Sequence, residues 1–284
     1  MNKTSMRTLK ILSYISENRH PVTLKQISKE LLIPPSSAHD IITTMLEMEY
    51  LQISDQAAKT YLIGLKAFEA GISYIQDIDF VNIAKPYLKE MSEKSRATTF
   101  LAVRDRHHIV YLDKVEGGGM VRTTAQLGSS KEMYYTGLGK AILATLPTEE
   151  IETMYSGQTL IARTTNTICD LESLKKDLFE IRQRGYAIDD CEGEPSLYCI
   201  AAPIRNYGGN VIAAISIANF KEVVCKNGSK EEVRLLTKSA FGISRKLGYT
   251  GDDLYYQKQR GWEYDLSKKL FTHRFICTKI RRGR

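Results

Sequence analysis

The stretch Thr23–Met48, TLKQISKELLIPPSSAHDIITTMLEM, holds two helical patterns separated by a turn that prolines mark. Thr23 followed three residues later by Gln26 has the form of a capping box, in which each side chain satisfies a backbone N–H that the first helical turn leaves unpaired. Leu24, Ile27 and Leu31 then recur at i, i+3 and i+7, the spacing of one helical face. Pro34 and Pro35 stop that helix, because proline has no N–H to donate and its ring clashes with the preceding turn. Beyond them Ala38, Ile41, Ile42 and Met45 make a second apolar face, while Ser36, Asp40, Thr43 and Glu47 point the opposite way. Upstream, Met6, Leu9, Leu12 and Ile15, widened by Ile11, predict a helix that ends near Asn18, before His20 and Pro21. Downstream, Tyr50 to Ile53 and Thr60 to Ile63 flank the polar turn Ser54 to Lys59 and predict a hairpin. Three short helices and a hairpin predict a winged helix-turn-helix over residues 1–64.

In that fold the third helix enters the major groove, where short polar side chains near its N-terminus meet base edges and phosphates. Ser36, Ser37, His39, Asp40, Thr43 and Thr44 are the expected DNA-contacting residues of the helix, and Lys59 that of the wing. The serines have a second, local reading. Either could cap the helix, with Asp40, three residues after Ser37, completing a capping box.

Charge alone does not argue for nucleic acid. The chain carries a net +7, but residues 1–65 hold seven basic and six acidic side chains and residues 66–248 hold 24 and 23. The last 36 residues hold nine and four, so most of the excess sits there. DNA binding therefore rests on local pattern. Five cysteines, Cys169, Cys191, Cys199, Cys225 and Cys277, are never closer than eight residues, which excludes a C-x-x-C motif and zinc spacing and predicts reduced thiols. The histidines include the pair His107 and His108 but form no H-E-x-x-H, so neither a metal nor a cofactor is expected. The longest apolar stretch, Val211 to Phe220, is about half of what a membrane-spanning helix needs. Arg7, Lys10 and Ser13 interrupt the continuous apolar run of a secretory signal, so a cytosolic location and no membrane partner are expected.

The length, 284 residues, accommodates two domains of roughly 100 to 200 residues. Leu65, Phe68, Ile72 and Ile75 predict a linker helix within residues 65–78, whose apolar face either meets a second copy of the chain or packs on its own wing. A further helix, Phe80 to Lys94, opens a larger domain over residues 79–250. Its strand-like runs are Thr98 to Arg104, His108 to Val115, Met120 to Gln126, Leu197 to Arg205 and Val211 to Ala218. Helices are expected at about Gly139 to Leu146, Thr148 to Tyr155, Asp170 to Arg184 and Lys230 to Leu247. The class is α+β, with a mainly antiparallel sheet flanked by helices. Gly117-Gly118-Gly119 lacks both the G-K-[ST] ending of a P-loop and G-x-G-x-x-G spacing, and reads as a turn. Residues 251–284 form a basic tail, and the part from Gln257 onward, without helical or strand period, is expected to be dispensable for the fold. Thr136 to Lys140 is a glycine-flanked helix start, whose free amides and dipole suit a small anion; its glycines could equally make only a turn, with Lys140 in solvent.

Ile33 to Leu46 followed by Tyr61-Leu62-Ile63-Gly64, then Thr136-Gly137-Leu138-Gly139-Lys140-Ala141, Arg184 to Glu192 and Cys199-Ile200-Ala201-Ala202-Pro203-Ile204, resemble in order and spacing the signature segments of the IclR family of bacterial transcription regulators. The resemblance covers roughly residues 5 to 250. It implies a GAF-like effector-binding domain behind the winged helix, an operator on double-stranded DNA, a dimer or tetramer, and a small carboxylate or sugar-acid effector. By the same resemblance, Gly137 and Leu138 would offer backbone donors to the effector, Asp189 would accept from a ligand hydroxyl or water, and Cys199 and Ser216 would line the floor. Repression of a catabolic operon is the expected outcome, with activation the alternative.

The chain departs from the family at four places. Asp40 stands where an arginine is common on the recognition helix, and a carboxylate accepts only from donors such as cytosine N4. Glu49 and Ser196 replace glycines, and Ala218 lacks a hydroxyl sometimes found there. Two rival readings need different chemistry. An enzyme acting on a small carboxylate would use Cys199 or Ser216 as nucleophile and would need His107 or His108 as base, no histidine lying within 70 residues of Cys199 in sequence. A purely architectural DNA-binding protein would leave the larger domain without a purpose. The expectation is therefore a regulator with no catalytic residues.

Overall fold

The computed structural model describes residues 2–18, 20–76, 79–118 and 125–255, with no account of the side chains of 72–76 and 79. The chain divides into two compact units, Met1–Asp79 and Phe80–Arg284.

The first unit contains α1 (Lys3–Glu17), β1 (Val22–Thr23), α2 (Leu24–Leu31), α3 (Pro35–Glu47), β2 (Leu51–Asp55), β3 (Thr60–Ile63) and α4 (Leu65–Gln76). Ile11 and Ile15 of α1, Ile27 of α2 and Ala38, Ile42 and Met45 of α3 share one core, closed by Leu51 and Tyr61 of the wing. Leu9, expected on the buried stripe, faces outward, because the buried side of α1 centres on Ile11 and Ile15. Both halves of the Thr23–Gln26 capping box are present. At α3 the caps differ from the local reading of the serines. Pro34 is the N-cap and Pro35 the first helical residue, so Ser36 and Ser37 sit inside the first turn and neither caps it.

β1, β3 and β2 form an antiparallel three-stranded sheet in that order. The wing leaves α3 through Glu49, at φ 59°, so the left-handed turn where the family has glycine is kept by a residue with a Cβ. The chain returns past the same point at Gly64, where any Cβ would collide with the Glu49 carbonyl. Leu65 and Phe68 on α4 are 66% and 61% exposed, so they do not pack on their own wing.

The second unit runs α5 (Asp79–Ser95), β4 (Thr98–Asp105), β5 (His108–Val115), β6 (Ser130–Glu132), α6 (Gly137–Leu143), α7 (Thr148–Tyr155), α8 (Leu171–Arg184), β7 (Ala187–Asp190), β8 (Leu197–Arg205), β9 (Val211–Phe220), α9 (Lys221–Asn227) and α10 (Lys230–Lys246). Its strands form one six-stranded sheet ordered β6-β5-β4-β9-β8-β7, antiparallel at every step. α6 packs on β8, β9 and β7, α8 on α6, and α10 along β8 and β9 with Leu236, Ala240 and Ile243 buried. The arrangement is the expected α+β, GAF-like one.

The differences from the sequence reading are local. β1, β6, β7 and α9 are too short to show a period, and α6 begins at Gly137 and ends at Leu143. The strand expected from Met120 falls, as far as residue 124, outside the described residues. Leu254 and Tyr255 are buried and Arg205 Nε donates to the Leu254 carbonyl at 2.6 Å, so the chain read as tail from residue 251 packs into this unit as far as Tyr255. The remainder of the tail lies outside the described residues. Among the described residues, no helix is long and apolar enough to cross a membrane.

The left-handed Glu49 makes a stability prediction. Glu49→Gly removes the Cβ that disfavours this conformation and should raise the chain's stability by about 1 kcal/mol, seen as a higher urea midpoint. An unchanged or lower midpoint would contradict a strained turn.

Candidate functional site

The cavity of the larger unit is built from the start of α6. Thr136, the N-cap, accepts from Gly139 N on its hydroxyl at 3.1 Å and from Lys140 N on its carbonyl at 2.8 Å, and its hydroxyl donates to the Glu132 carbonyl. Gly139 is a glycine because a Cβ would collide with the Met133 backbone. Among the described residues no hydrogen bond reaches the amides of Gly137 and Leu138, and both residues face the cavity. A Cβ on Gly137 would stand 3.5 Å from the Cβ atoms of Asp189 and Cys199, so this segment lies directly against β7 and β8.

The sheet register supplies the rest. Asp189 pairs with Cys199 across β7 and β8, and Ser216 of β9 pairs with Ala201 on one side and Phe100 on the other. The five residues expected to bind an effector, Gly137, Leu138, Asp189, Cys199 and Ser216, thus line one cavity. It is small, about 30 Å³, room for a water or two, so a larger ligand must move side chains to enter. Sequence reasoning missed Phe100, Tyr111, Lys131 and Glu194 on the same wall. Phe100 and Tyr111 pack with their rings tilted at 5.3 Å, and Lys131 Nζ meets Glu194 Oε1 at 2.5 Å. Lys131 sits on a three-residue strand with no period to announce it.

The electrostatics beside the cavity centre on a buried cation. Lys140, expected in solvent or at an anion, is 1% exposed and donates to Asp177 Oδ2 at 2.7 Å and to Glu192 Oε1 at 2.6 Å. Its charge is already matched within the protein. Among the described residues Glu192 Oε2 is buried without a partner, and burial raises the Glu192 pKa against the pull of Lys140. Asp189, 5% exposed, accepts from Glu192 N at 2.8 Å and Gly193 N at 3.4 Å. Burial first, and the Glu192 charge second, push its pKa up to about 7 despite those amides.

Cys199 faces the cavity with its thiol held well above the ordinary range by burial and by Asp189, the opposite of an activated nucleophile. No histidine is among the described residues lining the cavity. His107 packs edge-on against Tyr155 at 6.2 Å, and His108 Nε2 lies 3.5 Å from Glu132 Oε1. Among the described residues, neither His107 nor His108 comes to the cavity that holds Cys199 and Ser216.

In the first unit Ser36, His39, Asp40, Thr43 and Thr44 are exposed on one side of α3, with Ser37 half-buried. The Thr44 hydroxyl donates to the Asp40 carbonyl at 3.0 Å, and His39 Nδ1 lies 3.8 Å from Asp40 Oδ1. Lys59 ends the wing turn, exposed and left-handed at φ 46°. Asp55 fixes that turn by accepting from Ala57 N and Ala58 N at 2.8 and 3.0 Å.

Residues 72–245 match the family described as bacterial transcriptional regulator IclR C-terminal, and residues 5–53 match the IclR helix-turn-helix domain. The chain is similar to the transcriptional repressor IclR of Escherichia coli, 33% identical over 75% of this chain and 78% of that protein. It is also similar to the crystal structure of the Thermotoga maritima IclR, with a TM-score of 0.71 and 30% identity over 87% of this chain and 99% of that one. Its fold matches, with a TM-score of 0.77 and 23% identity over 86% and 99%, an IclR homolog from Microbacterium hydrocarbonoxydans complexed with 4-hydroxybenzoate.

Asp189 predicts a pH dependence. The folded protein holds this proton to about pH 7, whereas an ordinary aspartate releases it near 3.8. Its contribution to stability is therefore complete below pH 3.8 and is lost as pH rises through 7. Asp189→Asn keeps the shape without the charge, so its melting temperature relative to the parent should climb from pH 3.8 to 7 and then level. A constant difference across that window would show that Asp189 is not perturbed.

Proposed function

Since the chain belongs to the IclR family of bacterial transcriptional regulators, we propose that it is a cytoplasmic repressor of a catabolic operon whose DNA affinity is set by a small carboxylate or sugar acid. The observation that carries this reading is the convergence of Gly137, Leu138, Asp189, Cys199 and Ser216, from four separate elements, on one cavity. In this reading residues 1–64 bind DNA, 65–78 link, 79–250 hold the effector and 251–284 form the tail, of which 251–255 belong structurally to the effector domain. The amides of Gly137 and Leu138 donate to the ligand, Asp189 exchanges a hydrogen bond with its hydroxyl, and Cys199 and Ser216 shape the floor. The exposed Leu65 and Phe68 support a homodimer or homotetramer.

Paired winged helices imply a near-palindromic operator with half-sites about one helical turn, roughly 34 Å, or a multiple of it apart. The effector acts by favouring one arrangement of the readers, a coupling of roughly 1–3 kcal/mol for such switches. Mobility shift on the DNA upstream of its own gene, with and without small carboxylates, tests the reading; retention that no carboxylate changes would remove the effector.

The outer face of α3 predicts two kinds of variant. Asp40→Ala and Thr43→Ala should each change the preferred base at one operator position, by about 1–3 kcal/mol, while Lys59→Ala weakens all sequences alike and reduces the salt slope by about 1. Selection from randomised duplexes reads the first and binding against salt the second. Helix variants that select the parent's sites would take base reading away from α3.

A further inference from the structure

Among the described residues, β6 and β7 stand at the two ends of the larger unit's strand order. Lys131 lies on β6, and Glu194 follows the end of β7 by four residues. Their side chains nevertheless meet at 2.5 Å, 22% and 25% exposed, across 63 residues of sequence. One ion pair thus bridges β6 and the loop that follows β7. Both of its members line the cavity.

Lys131 is also the one cation among the described residues of the cavity wall. Lys140 is held by Asp177 and Glu192 and is not on that wall. The Gly137 and Leu138 amides carry only partial charge. A carboxylate that leaves water for this cavity needs a full countercharge to offset its desolvation, and among the described wall residues Lys131 supplies one.

We propose that the Lys131–Glu194 pair is a latch that closes the cavity, and that Lys131 anchors an organic carboxylate which enters by taking the place of the Glu194 carboxylate. The inference rests on the cavity being the effector site and adds the charge of the ligand and the contact that its binding breaks. Exchanging one carboxylate for another keeps Lys131 neutralised throughout. The step also breaks the direct contact between Lys131 of β6 and Glu194 after β7. The remaining wall selects the ligand's body, a ring or short chain against Phe100 and Tyr111 with a hydrogen-bonding group for Asp189.

Cys199 on the cavity wall reports access. Its alkylation by iodoacetamide, read peptide by peptide by mass spectrometry, would be followed in the full chain and in Lys131→Met and Glu194→Gln. Loss of a partly buried ion pair should open the cavity about fivefold more often, and both variants should be alkylated faster by that factor. A purely electrostatic effect would move them in opposite directions, because Lys131 lowers the Cys199 pKa and Glu194 raises it. Opposite or absent changes overturn the latch.

Acetate, benzoate and 4-hydroxybenzoate, with their amides as neutral controls, then test the anchor. The acids, and not the amides, should protect Cys199 most in Glu194→Gln and not at all in Lys131→Met. Equal protection in Lys131→Met, or no protection of Glu194→Gln by any acid, overturns it. Mobility shifts in parallel separate the two readings. An acid that protects through Lys131 yet leaves DNA retention unchanged supports the anchor and removes the effector role. An acid that changes retention equally in the parent and in Lys131→Met keeps the effector role and removes the anchor.

Discussion

An ammonium taken out of water destabilises a fold by several kcal/mol unless it is paired and hydrogen-bonded, and Lys140 meets that condition through Asp177 and Glu192. The three residues belong to α6, to α8 and to the loop after β7, so one buried charge holds three elements in a single arrangement. Arg184 Nη2 supports the group from 3.4 Å at Asp177 Oδ1. Held there, α6 presents Gly137 and Leu138 to the cavity, and Glu192 turns its own amide to Asp189. The same carboxylate that satisfies Lys140 raises the Asp189 pKa, so packing and cavity chemistry share one cause.

The winged helix depends on a different constraint, the chemistry of its helix ends. Thr23 and Gln26 cap α2, Leu32 closes it in the left-handed region, and Pro34-Pro35 start α3 without using any side-chain oxygen. That leaves the polar groups of α3 facing outward above an apolar core of Ala38, Ile41, Ile42 and Met45, the division of labour a groove-reading helix needs. Asp40, standing where the family commonly has arginine, is exposed on that face.

Much of this was legible in the sequence wherever the signal is periodic or local. The capping box, the faces of α2 and α3 and the long strands β4, β5, β8 and β9 all follow from residues a few positions apart. Where the decisive partner is distant, the reading failed. Lys140 finds Asp177 and Glu192 at separations of 37 and 52 residues, and nothing near Lys140 in sequence distinguishes a buried cation from a solvated one. Lys131 and Glu194 were invisible for the same reason. The serines of α3 looked like caps because Ser37 and Asp40 have the right spacing, yet Pro34 and Pro35 already occupy the cap and first positions. Glu49 and Ser196, which replace family glycines, keep positive φ at 59° and 65°, so the backbone path survives substitutions that alone suggested its loss.

Lys140 is the charge that assembles the cavity, and a double-mutant cycle in the full chain measures this directly. Urea unfolding would be compared for the parent, Lys140→Met, Glu192→Gln and the double variant. Lys140→Met alone should lose about 3–5 kcal/mol because it strands a buried carboxylate, and Glu192→Gln in the same chain should recover a large part of that loss. Single losses below about 0.5 kcal/mol that simply add would mean the pair is no more than a surface contact, and the account of the cavity would fail with it.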